Sequence, residues 1–289
     1  MSLPLIRHDV LPLIRRALAE DAARHDVTSR AVLPASLRVR ARMVAQSSGI
    51  VAGARAAAWV FQAVDRSLRC VLKRSEGARV VRGETVMVVE GRAQSIFAAE
   101  RVALNLAGHL SGVATLTRAF VERIRGTRAQ IYDTRKTLPG LRLLEKYAVR
   151  VGGGQNHRMD LRDAILIKTN HLKAQPSRSI QDTVCLAQQA SKGLFVAIEV
   201  TTLRELETAL QATPDIILLD NWRVVDIRKA VRLRNSSSRV VGRRLQLEVS
   251  GGVTLANVRA IARTGVERIS IGRLTHSAPS LDCSLEVVS

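Results

Sequence analysis

From residue 129 onward the chain alternates short apolar runs with helix-length amphipathic segments, and this rhythm constrains its fold more than any other feature. The apolar runs are 129–132, 164–167, 194–200, 215–219, 245–249 and 268–271. Helical patterns lie near 140–150, 179–190, 203–210, 224–234 and 255–263. Repeated β-α order predicts a parallel sheet, because each helix carries the chain back to start a new strand in the same direction.

Nearly every run ends in a polar cluster. Asp133-Thr134-Arg135-Lys136 follows the first, and Lys168-Thr169-Asn170-His171 the second. Glu199 lies within the third and Asp220-Asn221 ends the fourth. Ser250-Gly251-Gly252 follows the fifth, and Gly272-Arg273 opens the cluster after the sixth, which runs to His276-Ser277. In a β/α barrel all C-terminal strand ends converge on one site. An open doubly wound sheet gathers a ligand at only one or two of them. Six such ends therefore favour a barrel, complete or partial.

The N-terminal third reads differently. Residues 10–20 have a helical apolar stripe, 37–46 alternate as a half-buried strand, and 53–64 form an apolar helix pattern. Short strands follow at 68–73, 79–81 and 85–90, and a helical stretch at 98–125 with a break expected near Ser111-Gly112. Strands with occasional helices predict an α+β layer.

The residues at the strand ends suit anions. Arg135, Lys136, Arg158 and Lys168 can surround a polyanionic substrate, and arginine's planar fork matches carboxylate and phosphate. Glu199 and Asp220 sit on successive strands; two such carboxylates suit Mg²⁺ or structural ion pairs equally well. Ser250, Gly251, Gly252 and Gly272 offer backbone N–H groups ahead of helices, a phosphate cradle. His157 and His171 are read as hydrogen-bonding to an anionic substrate or to the protein itself. His109 and Met159 are read as packing residues. Together these residues point to an enzyme handling a phosphorylated, polyanionic substrate with Mg²⁺.

Composition removes other classes. The 289 residues are 46% hydrophobic, enough for a core, yet no apolar run approaches the ~20 residues of a membrane span. The first nineteen residues are broken by Arg7, Asp9, Arg15 and Arg16, which is no signal-peptide core, so a cytoplasmic protein is expected. Three separated cysteines give neither a disulfide frame nor a zinc site. The net charge of +20 raises nucleic-acid binding as a rival. That rival has few stacking platforms, at 3% aromatic residues, and no account of Glu199, Asp220 or the glycine motifs.

Beyond these physical readings, several long motifs carry a family resemblance. They are Tyr132-Asp-Thr-Arg-Lys-Thr-Leu-Pro-Gly-Leu-Arg142, Glu145 through Arg158, and Leu166-Ile-Lys-Thr-Asn-His171. Glu100-Arg-Val-Ala-Leu-Asn105, Glu199-Val200, Leu219-Asp-Asn221, Ser250-Gly-Gly-Val253 and Gly272 through Ser277 join them. The chain resembles the quinolinate phosphoribosyltransferase family. The resemblance implies an N-terminal α/β sandwich over 1–111, to which 277–289 return, and an incomplete TIM-like α/β barrel over 112–276. It implies a homodimer with shared sites, quinolinate and phosphoribosyl pyrophosphate as substrates, and Mg²⁺. Arg135, His157, Arg158 and Lys168 would grip quinolinate, with Arg101 supplied by the partner. Lys136 and Lys168 would border the pyrophosphate. Glu199 and Asp220 would hold the ribose and Mg²⁺, and Gly251, Gly252, Gly272 and His276 the 5-phosphate. A related enzyme acting on nicotinate or another pyridine acid is the alternative. The chain departs from the family pattern at Thr169, where an Asp is usual, and at Ala22-Ala23-Arg24-His25, where the family is glycine-rich.

Overall fold

The computed structural model describes residues 5–237 and 245–288, so the first four residues and Ser289 lie outside it. In chain order the elements are α1 (Arg7–Glu20), α2 (Val27–Val32), β1 (Arg38–Ala45), β2 (Gly49–Ile50), α3 (Ala54–Val64), β3 (Arg69–Leu72), β4 (Arg79–Val80), β5 (Thr85–Arg92) and α4 (Ala93–Arg123). There follow β6 (Gln130–Tyr132), α5 (Arg142–Val151), β7 (Ile165–Ile167), α6 (Thr169–Ala174), α7 (Ile180–Ala190), β8 (Val196–Val200) and α8 (Leu203–Ala212). The last are β9 (Ile216–Asp220), α9 (Val224–Ser236), β10 (Gln246–Ser250), α10 (Val258–Ala262), β11 (Arg268–Ser270), α11 (Arg273–His276) and β12 (Cys283–Val288). They form two compact units, Met1–Arg118 with Thr137–Gly153 and Arg273–Ser289, and Ala119–Lys136 with Gly154–Gly272.

The first unit is built on an antiparallel sheet of order β12-β1-β5-β3. Alternation decides its faces. Ala41, Met43 and Ala45 of β1 are buried, while Arg38 and Arg40 are exposed. Helix α3 buries Ala56, Ala57, Val60 and Phe61. The C-terminal strand β12 pairs along β1 from Arg40↔Val288 to Ala45↔Cys283.

Helix α4 runs unbroken through Ser111-Gly112, contrary to the break expected there. A methyl group on Gly112 would lie 2.1 Å from the Pro279 carbonyl oxygen, and one on Gly108 would lie 2.8 Å from that of Leu281. The glycines admit the backbone of residues 279–281 against the helix, each at a cost of roughly 1 kcal/mol of helix propensity. Ser111 turns its hydroxyl outward from the helix to bond both the N–H and the carbonyl of Ala52 at 3.0 Å. His109 is not a packing residue either: its Nε2 lies 2.9 Å from Oε1 of the fully buried Glu145.

The second unit carries a six-stranded parallel sheet of order β6-β11-β10-β9-β8-β7. The last strand, β11, lies beside the first, β6, as in a sheet curling into a barrel. Between β6 and β7 the described residues form no ladder, only a bridge from Tyr132 to Gln155. The barrel is therefore incomplete.

Register explains its interior. Ala197, Ile216 and Gln246 share one level, and Glu199, Leu218, Glu248 and Arg268 the next. Asp220 pairs with Ser250 and Ser270 with Tyr132 above them. Because side chains alternate, these levels face the inside together. The intervening residues Ile198, Ile217, Leu219, Leu247 and Val249 are buried apolar groups on the other face. Strands β8, β9 and β10 thus bury one apolar face and carry Glu199, Asp220 and Glu248 on the other.

Candidate active site

One cavity of about 630 Å³ opens at the C-terminal strand ends of the barrel. Arg135, Lys136, His157, Arg158 and Lys168 line it on one side of the sequence pattern. Glu199, Asp220, Ser250, Gly251 and Gly252 line it as well. Arg101, exposed on α4, and His276, exposed on α11, belong to the first unit; Gly272 ends the second unit but does not line this cavity. Larger cavities of about 880 Å³ in the first unit and about 690 Å³ at the other end of the barrel lack this convergence of acids, cations and glycines.

Asp133 organises the cationic end. It is fully buried just past β6, where its Oδ1 accepts the backbone N–H of His157 at 2.8 Å and its Oδ2 the Asn156 amide at 2.6 Å. This fixes the Asn156-His157-Arg158 run after the glycines. Arg158 donates through Nη1 to the Ala164 carbonyl at 3.0 Å. Burial and the neighbouring Arg135 guanidinium both hold the Arg158 pKa below its ordinary value, against the pull of Asp163. The two half-buried guanidiniums thus line one cavity close enough to repel each other.

The acidic end is equally specific. Burial, and next the charge of Glu199, raise the Asp220 carboxyl above its ordinary value, while Asn221, Lys136 and Lys168 pull it down. Thr169 places no acid beside Lys168. Its hydroxyl donates to Glu199 Oε1 at 2.7 Å, and its backbone N–H reaches the same oxygen at 3.3 Å. The mutual repulsion of Glu199 and Asp220 is what a divalent cation relieves, so the pair fits Mg²⁺, which takes few protein ligands. His171 takes no place in the cavity: its Nδ1 accepts the Lys168 backbone N–H at 2.8 Å.

The glycine loop is shaped by Asn221, whose φ is +60° and whose N–H donates to the Ser250 carbonyl at 2.9 Å. Gly251 has φ +83°, and a methyl there would lie 2.2 Å from Asn221 Oδ1. Asn257 ties the loop's far side, donating to the Gly252 carbonyl at 2.9 Å and accepting from Thr254 N–H at 2.8 Å. Gly251→Ala is expected to lower stability by about 1–3 kcal/mol through strain and overlap. A urea titration should show a lower midpoint at unchanged slope; an unchanged midpoint would refute the steric account.

Glu248 was not among the expected residues. It is fully buried at the cavity floor, its Oε2 accepting from Arg268 Nε at 2.7 Å. Burial pushes its carboxyl up, but His157 and Arg268 outweigh that and hold it down to about 2. The sequence signal is the alternation Gln246, Glu248, Ser250 against Leu245, Leu247, Val249.

Fold and pocket together define an α/β-barrel enzyme whose site is built for anions. The model of the quinolinate phosphoribosyl transferase N-terminal domain matches residues 26–111, and that of the C-terminal domain residues 113–286. A nicotinate-nucleotide pyrophosphorylase (carboxylating) of Mycobacterium leprae is 42% identical over 277 residues, 95% of each chain. A quinolinate phosphoribosyltransferase (decarboxylating) of Nicotiana glauca is 39% identical over 97% of this chain and 83% of its own. The solved nicotinate-nucleotide pyrophosphorylase of Francisella tularensis superposes with a TM-score of 0.91 at 36% identity, covering 99% of this chain and 98% of that one. The chain belongs to the quinolinate phosphoribosyltransferase family.

Proposed function

We propose that the protein transfers the phosphoribosyl group of phosphoribosyl pyrophosphate to quinolinate and releases CO₂, forming nicotinate mononucleotide for NAD synthesis. The observation that carries this reading is the pairing of Arg135 and Arg158 in one cavity with Glu199 and Asp220. A pyridine diacid meets the guanidiniums while the ribose lies toward the carboxylates. Lys136 and Lys168 border the pyrophosphate, and Ser250, Gly251 and Gly252 receive the 5-phosphate.

In the reaction, the bond from ribose C1 to pyrophosphate breaks and its electron pair leaves with the pyrophosphate. The lysines neutralise the departing charge, and Glu199 and Asp220 stabilise the positive charge that develops on the ribose. The pyridine nitrogen lone pair forms the new bond to C1. The ring is now cationic, so the bond to its 2-carboxylate breaks, the electron pair stays on C2, and CO₂ departs. A proton then fills C2. Holding both anions in register contributes much of the rate. Glu199 and Asp220 would hold Mg²⁺, which when bound neutralises pyrophosphate charge.

The working form on this reading is a cytoplasmic homodimer, with the exposed Arg101 of each protomer reaching its partner's site. The test is product formation from quinolinate and nicotinate in parallel, each with phosphoribosyl pyrophosphate and Mg²⁺. Turnover of quinolinate alone is expected. Turnover of nicotinate alone would keep the transfer chemistry and overturn the substrate.

A further inference from the structure

Asn221 holds a backbone conformation that its residue type tolerates but does not need its side chain to keep. Its φ is +60°, in the left-handed region where glycine is free and asparagine is among the few other residues admitted. Two ties to the flanking strands enforce the turn after β9. The Asn221 N–H donates to the Ser250 carbonyl at the end of β10 at 2.9 Å. The Trp222 indole Nε1 donates to the Val200 carbonyl at the end of β8 at 3.0 Å. Neither tie uses the Asn221 amide, so glycine would serve this turn at least as well.

The side chain has a different task. Asn221 lines the site cavity and is exposed there, so it supports no core. Its Nδ2 donates to Asp220 Oδ2 at 3.1 Å. An ionised carboxylate only accepts, so the NH₂ end of the amide must face it and Oδ1 turns the other way. On that other side lies the glycine loop. A methyl added at Gly251 would overlap both Oδ1 and Cγ of Asn221, so the amide rests directly on the Gly251 backbone. Asp220 and Ser250 are register partners on neighbouring strands. The amide therefore stands between the carboxylate of one strand and the loop of the next, in touch with both.

We propose that Asn221 is a positioning residue for the phosphoribosyl group, its amide setting the spacing between the Asp220 carboxylate and the Ser250-Gly251-Gly252 loop. This rests on the reading in which those two features meet the ribose and the 5-phosphate. Both belong to one small molecule, so the spacing decides whether the two contacts form together. Without the amide, the Asp220 carboxylate is free to rotate and space opens over Gly251, while the ties to Ser250 and Val200 remain.

The test is calorimetric titration of the full-length enzyme with ribose 5-phosphate, without divalent cation or quinolinate, followed by steady-state kinetics and a thermal melt. Asn221→Gly keeps the left-handed turn and removes the amide. It is expected to weaken ribose 5-phosphate binding and raise the KM for phosphoribosyl pyrophosphate about tenfold each, with the KM for quinolinate within about twofold. Its melting temperature is expected to stay that of the wild type. Asn221→Asp keeps the size and the turn but sets a carboxylate against Asp220, and should weaken ribose 5-phosphate binding at least as much. An Asn221 that only forms the turn would be replaced by glycine without loss, and wild-type binding and kinetics in Asn221→Gly overturn the proposal. So do equal increases in both KM values with a lowered melting temperature, or wild-type ribose 5-phosphate binding in Asn221→Asp. A wild-type enzyme that neither binds ribose 5-phosphate nor uses phosphoribosyl pyrophosphate overturns the reading of the site, and the role of Asn221 with it. Wild-type binding that neither variant alters overturns the role of Asn221 alone, so the two failures are distinguishable.

Discussion

Lys136→Ala is expected to reduce kcat/KM for phosphoribosyl transfer about 10²–10³-fold while leaving the fold intact, the usual consequence of removing one group aimed at developing charge. Lys136 is exposed at the mouth of the cavity, in the loop after β6, so its side chain supports no core. Its charge is felt across the site, since with Lys168 it pulls the Asp220 carboxyl down. Removing it leaves the departing pyrophosphate less well neutralised and Asp220 more costly to ionise. Steady-state kinetics beside a thermal melt separate the two effects. Near-wild-type kinetics would remove Lys136 from the chemistry.

A comparable loss is expected at the other end of the cavity, in binding this time. Arg158→Ala should raise the KM for quinolinate about 10–100-fold, with a smaller change in the KM for phosphoribosyl pyrophosphate, because a paired charge-assisted contact is worth about 1.5–3 kcal/mol. Arg158→Lys should restore little. The guanidinium must reach the Ala164 carbonyl through Nη1 and still face Arg135, which an ammonium on a shorter reach cannot do. Equal increases in both KM values would place Arg158 in general folding of the site and not in recognition of the acid.

The barrel was legible because each strand carries its own punctuation. Runs such as Ile216–Asp220 end in the acid or cation that faces the cavity, and one such end after another can be met only by a closed or nearly closed sheet. The interior was less legible. Glu248 and Arg268 stand within strands, where a window scored for hydrophobicity absorbs them into their apolar neighbours. Period-two alternation, with one polar face inside a barrel, is the physical pattern that exposes them. Helix α4 hid for the opposite reason. Gly112 carries a helix-breaking propensity, and only the Pro279 carbonyl packed against it shows why the helix continues. His109 and Glu145 are 36 residues apart, and nothing local to either foretells their contact.

Thr169 illustrates how a single change can be read only with its neighbour in view. Taken alone it removes an acid from beside Lys168. In the fold it supplies a hydroxyl donor to Glu199 Oε1, which fixes the orientation of that carboxylate. The substitution therefore leaves the acidic pair and both lysines in the cavity.

On this reading one site joins phosphoribosyl transfer to decarboxylation of a pyridine diacid. Quinolinate labelled with ¹⁴C in its 2-carboxyl group tests it most directly. Release of ¹⁴CO₂ should require phosphoribosyl pyrophosphate and match nicotinate mononucleotide one for one, because the ring nitrogen must bear the ribose before the carboxylate can leave. Label retained in a nucleotide product, or released without phosphoribosyl pyrophosphate, would contradict the account.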